Sequence, residues 1–138
     1  MKTSRNQAGT AGVIEIVLLT PLFMIVAMFI VEVGRLQGAR TEVAYAARAS
    51  ARAAAERSAA TAPAAARTVV TATLASEGVS CATLDVQVDT VDLAPAGTAK
   101  VTVGCTTSLG DLGLLHLPLS VHLHATAVEV VDSLRGGP

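Results

Sequence analysis

The sequence predicts an α+β protein in which a long N-terminal transmembrane and stem helix is followed by a second helix and a small, mainly antiparallel three-stranded sheet. Three observations predict this fold class. An uncharged apolar run near the start is long enough to cross a bilayer. A stretch rich in alanine and arginine, without proline, continues it. In the second half of the chain, apolar and polar residues alternate with a period of two, as in half-buried strands.

The composition agrees with a membrane segment and excludes one class of partner. Of the 138 residues, 51% are hydrophobic and 15% are charged, against about 25% charged in soluble domains. The mean hydropathy is +0.56, so the apolar excess is larger than a small soluble core needs. Aromatic residues make up 2% and the net charge is -1, which provides neither stacking surfaces nor a basic field. We therefore expect no nucleic-acid partner.

The apolar run extends from Ile16 to Val31 and is bounded by Glu15 and Glu32. With its flanking residues it forms a helix of about 33 Å, which spans the hydrocarbon core of a membrane. A cleaved signal peptide is the rival interpretation, because the N-terminus is basic. The run is long for such a peptide, and no small-x-small cleavage site follows it promptly, so we expect a retained anchor.

Two residues within or beside this run carry unusual chemistry. A carboxylate at Glu15 is costly in hydrocarbon, which makes it a functional candidate. The alternative is that it lies at headgroup depth and stabilises the helix N-terminus through the helix dipole. Pro21 leaves the carbonyl of Val17 without its helical donor, which predicts a kink or local unwinding that packing in an assembly can compensate.

After the run, the helix is expected to continue to Ser58 as a stem. Glu32 can reach Arg35 at the i+3 position, and Gly34 and Gly38 have the GxxxG spacing, a weak signal for close helix packing. We expect the charged stripe of Arg48, Arg52 and Glu56 to be a solvated face. The alanines that would allow close approach on the opposite side are Ala39, Ala46, Ala47, Ala53 and Ala54.

A second helix is predicted over Ala62 to Glu77. Thr61 and Pro63 provide the signal for its start, and Gly78 provides the signal for its end. Its apolar residues are expected to fold back onto the head of the protein.

Three strands are predicted after this helix. The first contains Leu84 to Asp89 and the second Val101 to Cys105, joined by a turn at Pro95 to Gly97. A loop rich in glycine and leucine, residues 106–118, leads to the third strand, 119–127. On that strand we expect one buried apolar face and one wet face.

The only two cysteines are Cys81 and Cys105, each in or beside a predicted strand. An even pair is what an oxidising exterior would use as a disulfide, which would contribute about 3–4 kcal/mol by closing the intervening segment. Two free buried thiols remain the alternative.

The sequence contains none of the common catalytic or phosphate-binding motifs. His122 and His124 share one strand face, with His116 as a distant third candidate metal ligand, but exposed strand histidines are commoner than metal sites, and we expect no metal. Ser108, Asp111 and His116 are the residue types of a catalytic triad, but they are crowded into one predicted loop, which does not provide the geometry that a triad needs. We therefore expect no catalysis and no cofactor.

The stretch Gly9 to Ser58 resembles the N-terminal region of the TadE-like family, which comprises minor pilins or pseudopilins of tight-adherence pili in the type IV pilin superfamily. The matching features are Glu15 before the apolar run, Pro21 inside it, the VEVGR motif at Val31 to Arg35, and the AARASARAAA stretch. The tail agrees in outline, with a leucine- and glycine-rich stretch before the last strand.

The resemblance implies a protein that helps to assemble or prime an adhesion pilus. In pilins, a prepilin peptidase cuts before the apolar helix, and a glutamate at the fifth mature position pairs with the new amino terminus of a neighbour. Glu15 would be that glutamate. It is the fifth residue of the mature chain only if cleavage follows Thr10. Cleavage after Gly9 would make it the sixth, and cleavage after Gly12 the third. The sequence therefore departs from the family pattern, because no cut after a glycine places this glutamate fifth.

The expected organisation is a cytoplasmic tail or leader at 1–11, a transmembrane helix at 12–34, its extramembrane continuation at 35–58 and an extracytoplasmic head at 59–138. Basic residues after the span would by themselves place the head in the cytoplasm. The resemblance implies the opposite orientation. Expected partners are other pilin subunits, the assembly machinery, prepilin peptidase and membrane lipid. The alternative is a monomeric, membrane-tethered envelope protein whose head binds a metal or a partner.

Overall fold

A computed structural model describes residues 7–91, 97–108, 110 and 119–131. It contains two helices followed by three strands, and the predicted α+β fold class is confirmed. The elements are α1 (Gln7–Ala55), α2 (Ala62–Ser76), β1 (Thr83–Val91), β2 (Thr98–Ser108) and β3 (Ser120–Val130).

The helix α1 is continuous through the apolar run and the alanine-rich stretch, as predicted. It begins at Gln7, before the predicted start at residue 12, and ends at Ala55, before the predicted end at Ser58. Residues 56–61 form turns between the two helices, and the amide of Arg57 donates to the carbonyl of Ala54 at 3.1 Å where the helix ends. The chain divides into two compact units after Gly34. The first consists, in its described part, of the N-terminal portion of α1. The second contains the rest of α1, α2 and the sheet.

The helix α2 begins where Thr61 and Pro63 predict. Thr61 is the N-cap residue, but its side chain accepts no capping hydrogen bond from the helix backbone; its Oγ1 lies 3.0 Å from the Oγ of Ser58 instead. The helix ends at Ser76, and Gly78 follows with a φ of +71°, a left-handed conformation that glycine adopts without a Cβ clash. This glycine turns the chain toward β1.

The three strands form one antiparallel sheet in the order β1-β2-β3. The register places Val86 beside Val103 and Val103 beside Ala125. The predicted boundaries of the second strand were too narrow. It reaches Ser108, so residues 106–108 are strand and not loop, because β1 pairs with it as far as Thr106 and β3 pairs with it as far as Ser108. Residues 109 and 111–118 of the predicted loop and residues 95–96 of the predicted turn lie outside the described residues.

The core of the second unit lies between the helices and one face of the sheet. Small residues recur on α1 at helical spacing, and those that are buried are Ala39, Val43, Ala46, Ala47, Ser50, Ala51 and Ala54. The α2 stripe consists of Ala62, Ala66, Val70 and Leu74. The central strand contributes Ala99, Val101, Val103 and Cys105, and β3 contributes Leu123. Because most of these side chains are alanine or valine, the helix backbones can pack close to the sheet.

The opposite face of the sheet is polar and open, as the alternation predicts. On β3 the residues alternate strictly, and Ser120, His122, His124 and Thr126 are exposed while Leu123 is buried. Leu119 differs from the prediction, since it precedes the strand and is exposed.

Candidate functional site

The N-terminal unit exposes an unusual amount of apolar surface. Between Ile16 and Val33, the large hydrophobic side chains are 39% to 69% exposed. Burying a side chain such as leucine, isoleucine or phenylalanine in apolar surroundings is worth up to about 1.5–3 kcal/mol. A continuous surface of this kind marks a membrane or a protein interface. The chain itself provides no cover for it among the described residues.

The same helix is the one candidate membrane span among the described residues. Its most apolar window has a mean hydropathy of 2.6 and is 0% buried. A core helix of a soluble protein would have its apolar window covered by the fold, and this window is not. Length and composition therefore fit a membrane anchor.

Glu15 lies at the N-terminal end of this surface and is exposed. The helix begins at Gln7, about two turns earlier, and its first turn contains no acidic residue. The dipole effect is largest in the first turn, and Glu15 lies beyond that turn; its position at headgroup depth stays a prediction. No described residue forms an ion pair or a hydrogen bond with its carboxylate. The charge therefore borders the apolar surface without a described partner.

Pro21 lies inside α1 and is exposed. Because proline has no amide hydrogen, the carbonyl of Val17 lacks its helical donor. The helix is continuous through this point, so the backbone is not locally unwound there, and the kink that the sequence predicts as the other outcome stays a prediction. The preceding Thr20 donates its hydroxyl to the carbonyl of Ile16 at 2.7 Å, a side-chain bond to the backbone that often accompanies a bend in a helix.

Gly34 and Gly38 are both exposed, and a Cβ added at either position would meet nothing within 4 Å. Neither glycine is therefore required by packing within this chain. Glycine inside a helix costs about 0.5–1 kcal/mol of stability relative to alanine, and nothing in this chain compensates that cost at the described residues. The absence of side chains at the two positions exposes the helix backbone, which fits close contact with another helix.

The remaining stem residues lie at the surface as well. Glu32 is half-buried and Arg35 is exposed, and each has an interaction partner. Arg48, Arg52 and Glu56 are exposed, as expected for a solvated stripe.

The cysteines form a disulfide, which is the first of the two alternatives that the sequence left open. Cys81 and Cys105 are joined with a Cα to Cα distance of 5.3 Å. The bond ties the segment before β1 to the middle of β2, where Cys105 is fully buried. Next to it, the amide of Ala82 donates to the carbonyl of Thr106 at 2.7 Å. The disulfide therefore fixes one edge of the head to its central strand.

The open face of the sheet carries His122 and His124. Sequence reasoning missed one contact there: the Oγ1 of Thr106 lies 3.0 Å from the Nδ1 of His122. No group of three or more histidine, cysteine or acidic side chains arranged to hold a metal occurs among the described residues. Of the triad letters, Ser108 lies at the end of β2, while Asp111 and His116 fall outside the described residues.

Comparison with known proteins locates the family signal on the apolar helix. No curated protein matches the chain, and no solved structure does. The family model described as TadE-like protein matches residues 11–52. This segment contains Glu15, Pro21, Gly34 and Gly38, and it is the part of the chain for which the sequence predicted the family. The recognition is therefore confirmed, and over residues 11–52 the chain carries a TadE-like segment.

Proposed function

We propose that this protein is a membrane-anchored minor pilin or pseudopilin that acts structurally, without catalysis, in the assembly of a tight-adherence (Flp-type) pilus. One observation carries the proposal. The segment that matches the TadE-like family contains the apolar run whose large hydrophobic side chains, from Ile16 to Val33, are exposed. An apolar surface of that kind has to be covered, either by membrane lipid, by other subunits, or first by lipid and then by subunits.

The exposed helix suits a subunit that changes its surroundings during assembly. In lipid, its apolar side chains are solvated by acyl chains. In a filament core, the helices of neighbouring subunits provide an equally apolar environment. The helix can move sideways from one to the other without exposure to water, which is the physical basis of extraction from the membrane into a growing fibre.

The proposed orientation is a single pass through the cell membrane with a cytoplasmic N-terminus and an extracytoplasmic head. The disulfide between Cys81 and Cys105 supports it, because such bonds persist in oxidising compartments and are rare in the cytosol. On this proposal, residues 12–34 span the bilayer, 35–58 continue the helix outside it, and 59–138 form the head.

Within the assembly, Glu15 is proposed to pair with the amino terminus of a neighbouring subunit after processing by prepilin peptidase. A carboxylate beside hydrocarbon is stabilised strongly by a cationic partner, because screening by water is weak there. Gly34 and Gly38 are proposed to allow close approach of a partner helix, and that packing is proposed to compensate the free carbonyl opposite Pro21.

The decisive experiment is Glu15→Gln in the native host. This change removes the charge and keeps the size and helix propensity of the side chain. We expect normal membrane insertion and normal protein level, with loss of co-assembly with pilus components, measured by crosslinking and by counting pili.

The matched control is Glu32→Gln, which removes a carboxylate from the other end of the same apolar run. We expect pili to form in that variant. Normal piliation with Glu15→Gln would overturn the role of Glu15. Normal piliation in a strain that lacks the whole protein would overturn the proposed function.

A further inference from the structure

Two of the three histidines of the chain lie side by side on the open face of the sheet. His122 and His124 are both exposed on β3, and the residue between them, Leu123, is buried on the opposite face. Alternate residues of a strand are about 6.7 Å apart along the chain. The strand therefore presents two imidazoles to solvent from the same side at adjacent positions.

The first of these rings is held by its neighbour on the central strand. Thr106 pairs with His122 in the register of β2 and β3, and its Oγ1 lies 3.0 Å from the Nδ1 of His122. When Nδ1 carries the proton and donates it to this hydroxyl, the lone pair of the ring is on Nε2. Metal-binding histidines typically have this arrangement, in which a hydrogen bond at one nitrogen fixes the tautomer and orientation of the other.

The second ring has free space on the side of the central strand. The residue opposite His124 is Gly104, which has no side chain. A Cβ built there would meet only Asp85, at 3.8 Å from its Cβ and 4.0 Å from its carbonyl oxygen. The imidazole of His124 can therefore turn over this gap toward the ring of His122 without meeting a β2 side chain.

The sequence alone favoured no metal here, but with the contact of Thr106 and the gap at Gly104 in place we propose that His122 and His124 form a two-imidazole binding site for a zinc ion. Tetrahedral zinc with nitrogen ligands at about 2.0–2.1 Å requires two nitrogens about 3.3 Å apart, which two neighbouring imidazoles on one strand face can provide by leaning together. Thr106 is the positioning residue. Both cysteines are in the disulfide, so no thiolate competes for the ion.

The site is open on its outer side. The described residues offer no third histidine, cysteine or acidic side chain in place to complete it. The described residues therefore leave the remaining coordination positions open to water or to other donors. Such a site binds zinc reversibly and more weakly than a closed structural site of four protein ligands. The inference is independent of the proposed role in pilus assembly, since it depends on the sheet alone.

The test is a zinc titration of the full chain in detergent micelles, by calorimetry and by competition with a colorimetric zinc indicator. We expect one zinc ion per chain. His122→Ala and His124→Ala should each weaken binding at least about tenfold, because each removes one of two protein ligands. Thr106→Val should weaken it by about 10–100-fold, the usual effect of removing a hydrogen bond to a metal-bound histidine, and Thr106→Ser should restore it.

One variant serves as a matched control. Thr126→Val removes a hydroxyl on the same face whose partner is Thr102, at 3.1 Å, and not a histidine. It should bind zinc as the unmodified chain does. Absence of saturable zinc binding by the unmodified chain, or equal binding after His122→Ala and His124→Ala are combined, would overturn the site. Equal binding by Thr106→Val would overturn the positioning role.

Discussion

The disulfide offers the most direct quantitative test of how the head is stabilised. It joins two residues with a sequence separation of 24. In the chain-entropy relation, closing a loop of that length lowers the entropy of the unfolded chain by about 12 cal/mol/K, or about 3.5 kcal/mol at room temperature. Reduction of the bond should lower the free energy of unfolding of the head by about this amount.

The effect should be large relative to the total. The buried side chains of the head are mainly alanine and valine, with Leu74 and Leu123 among the few larger ones. Small cores leave a net stability of about 5–15 kcal/mol or less. A loss of about 3.5 kcal/mol is therefore a substantial fraction of it. At about 4–8 °C per kcal/mol for domains of this size, the melting temperature should fall by about 14–28 °C.

The assay is thermal unfolding of the full chain in detergent micelles, followed by circular dichroism in the β-sheet region, with and without a reductant. Cys81→Ala is the informative variant, because it removes the bond and leaves the buried Cys105 side chain in the core. It should melt near the temperature of the reduced chain and should not respond to reductant. A decrease of less than about 5 °C on reduction, with the bond shown to be broken by thiol labelling, would refute the chain-entropy account for this head.

The remaining predictions use the same unfolding assay. Ala46→Leu should destabilise the head by about 1–3 kcal/mol, because Ala46 is 0% exposed and the added atoms overpack the core. Ala64→Leu, on the exposed side of α2, should change stability by less than about 0.5 kcal/mol, and equal effects of the two changes would contradict this packing. Gly78→Ala should cost about 1–2 kcal/mol, because a side chain is strained at a φ of +71°. Gly104→Ala should instead stabilise the head by about 0.5–1 kcal/mol, since the added Cβ has room. A loss of stability would show that the added methyl group does not fit between the neighbouring strands. Thr107→Val should stabilise by about 1 kcal/mol, because the buried Oγ1 of Thr107 has no hydrogen-bond partner in the described structure; a loss of stability would reveal such a partner.

The sequence predicted the elements well because their signals are local. The uncharged run and the alanine-rich stretch favour helix at every position, and the period of two on β1 and β3 separates a buried face from a wet one. The boundaries of α2 were also readable, since Pro63 and Gly78 have conformational preferences that do not depend on distant neighbours. The TadE-like segment was recognisable for the same reason, as its features lie within one continuous helix.

Residues proposed to act in assembly are a different case. The sequence named Glu15, Pro21, Gly34 and Gly38, and the structure adds that all four are exposed on α1. Their proposed roles are contacts between chains, so the fold of one chain locates the residues and the experiments on assembly decide what they do.

Tertiary structure alone decided the features that depend on pairing across the sheet. The extension of β2 to Ser108 follows from pairing with β1 as far as Thr106 and with β3 as far as Ser108. The choice of a disulfide over free thiols follows from the 5.3 Å separation of the two Cα atoms, and the contact of Thr106 with His122 follows from the register. Local sequence determines which residues become strand and which face they occupy. Which residues become neighbours is set by register, and register is selected by burying one whole face of the sheet against the helices.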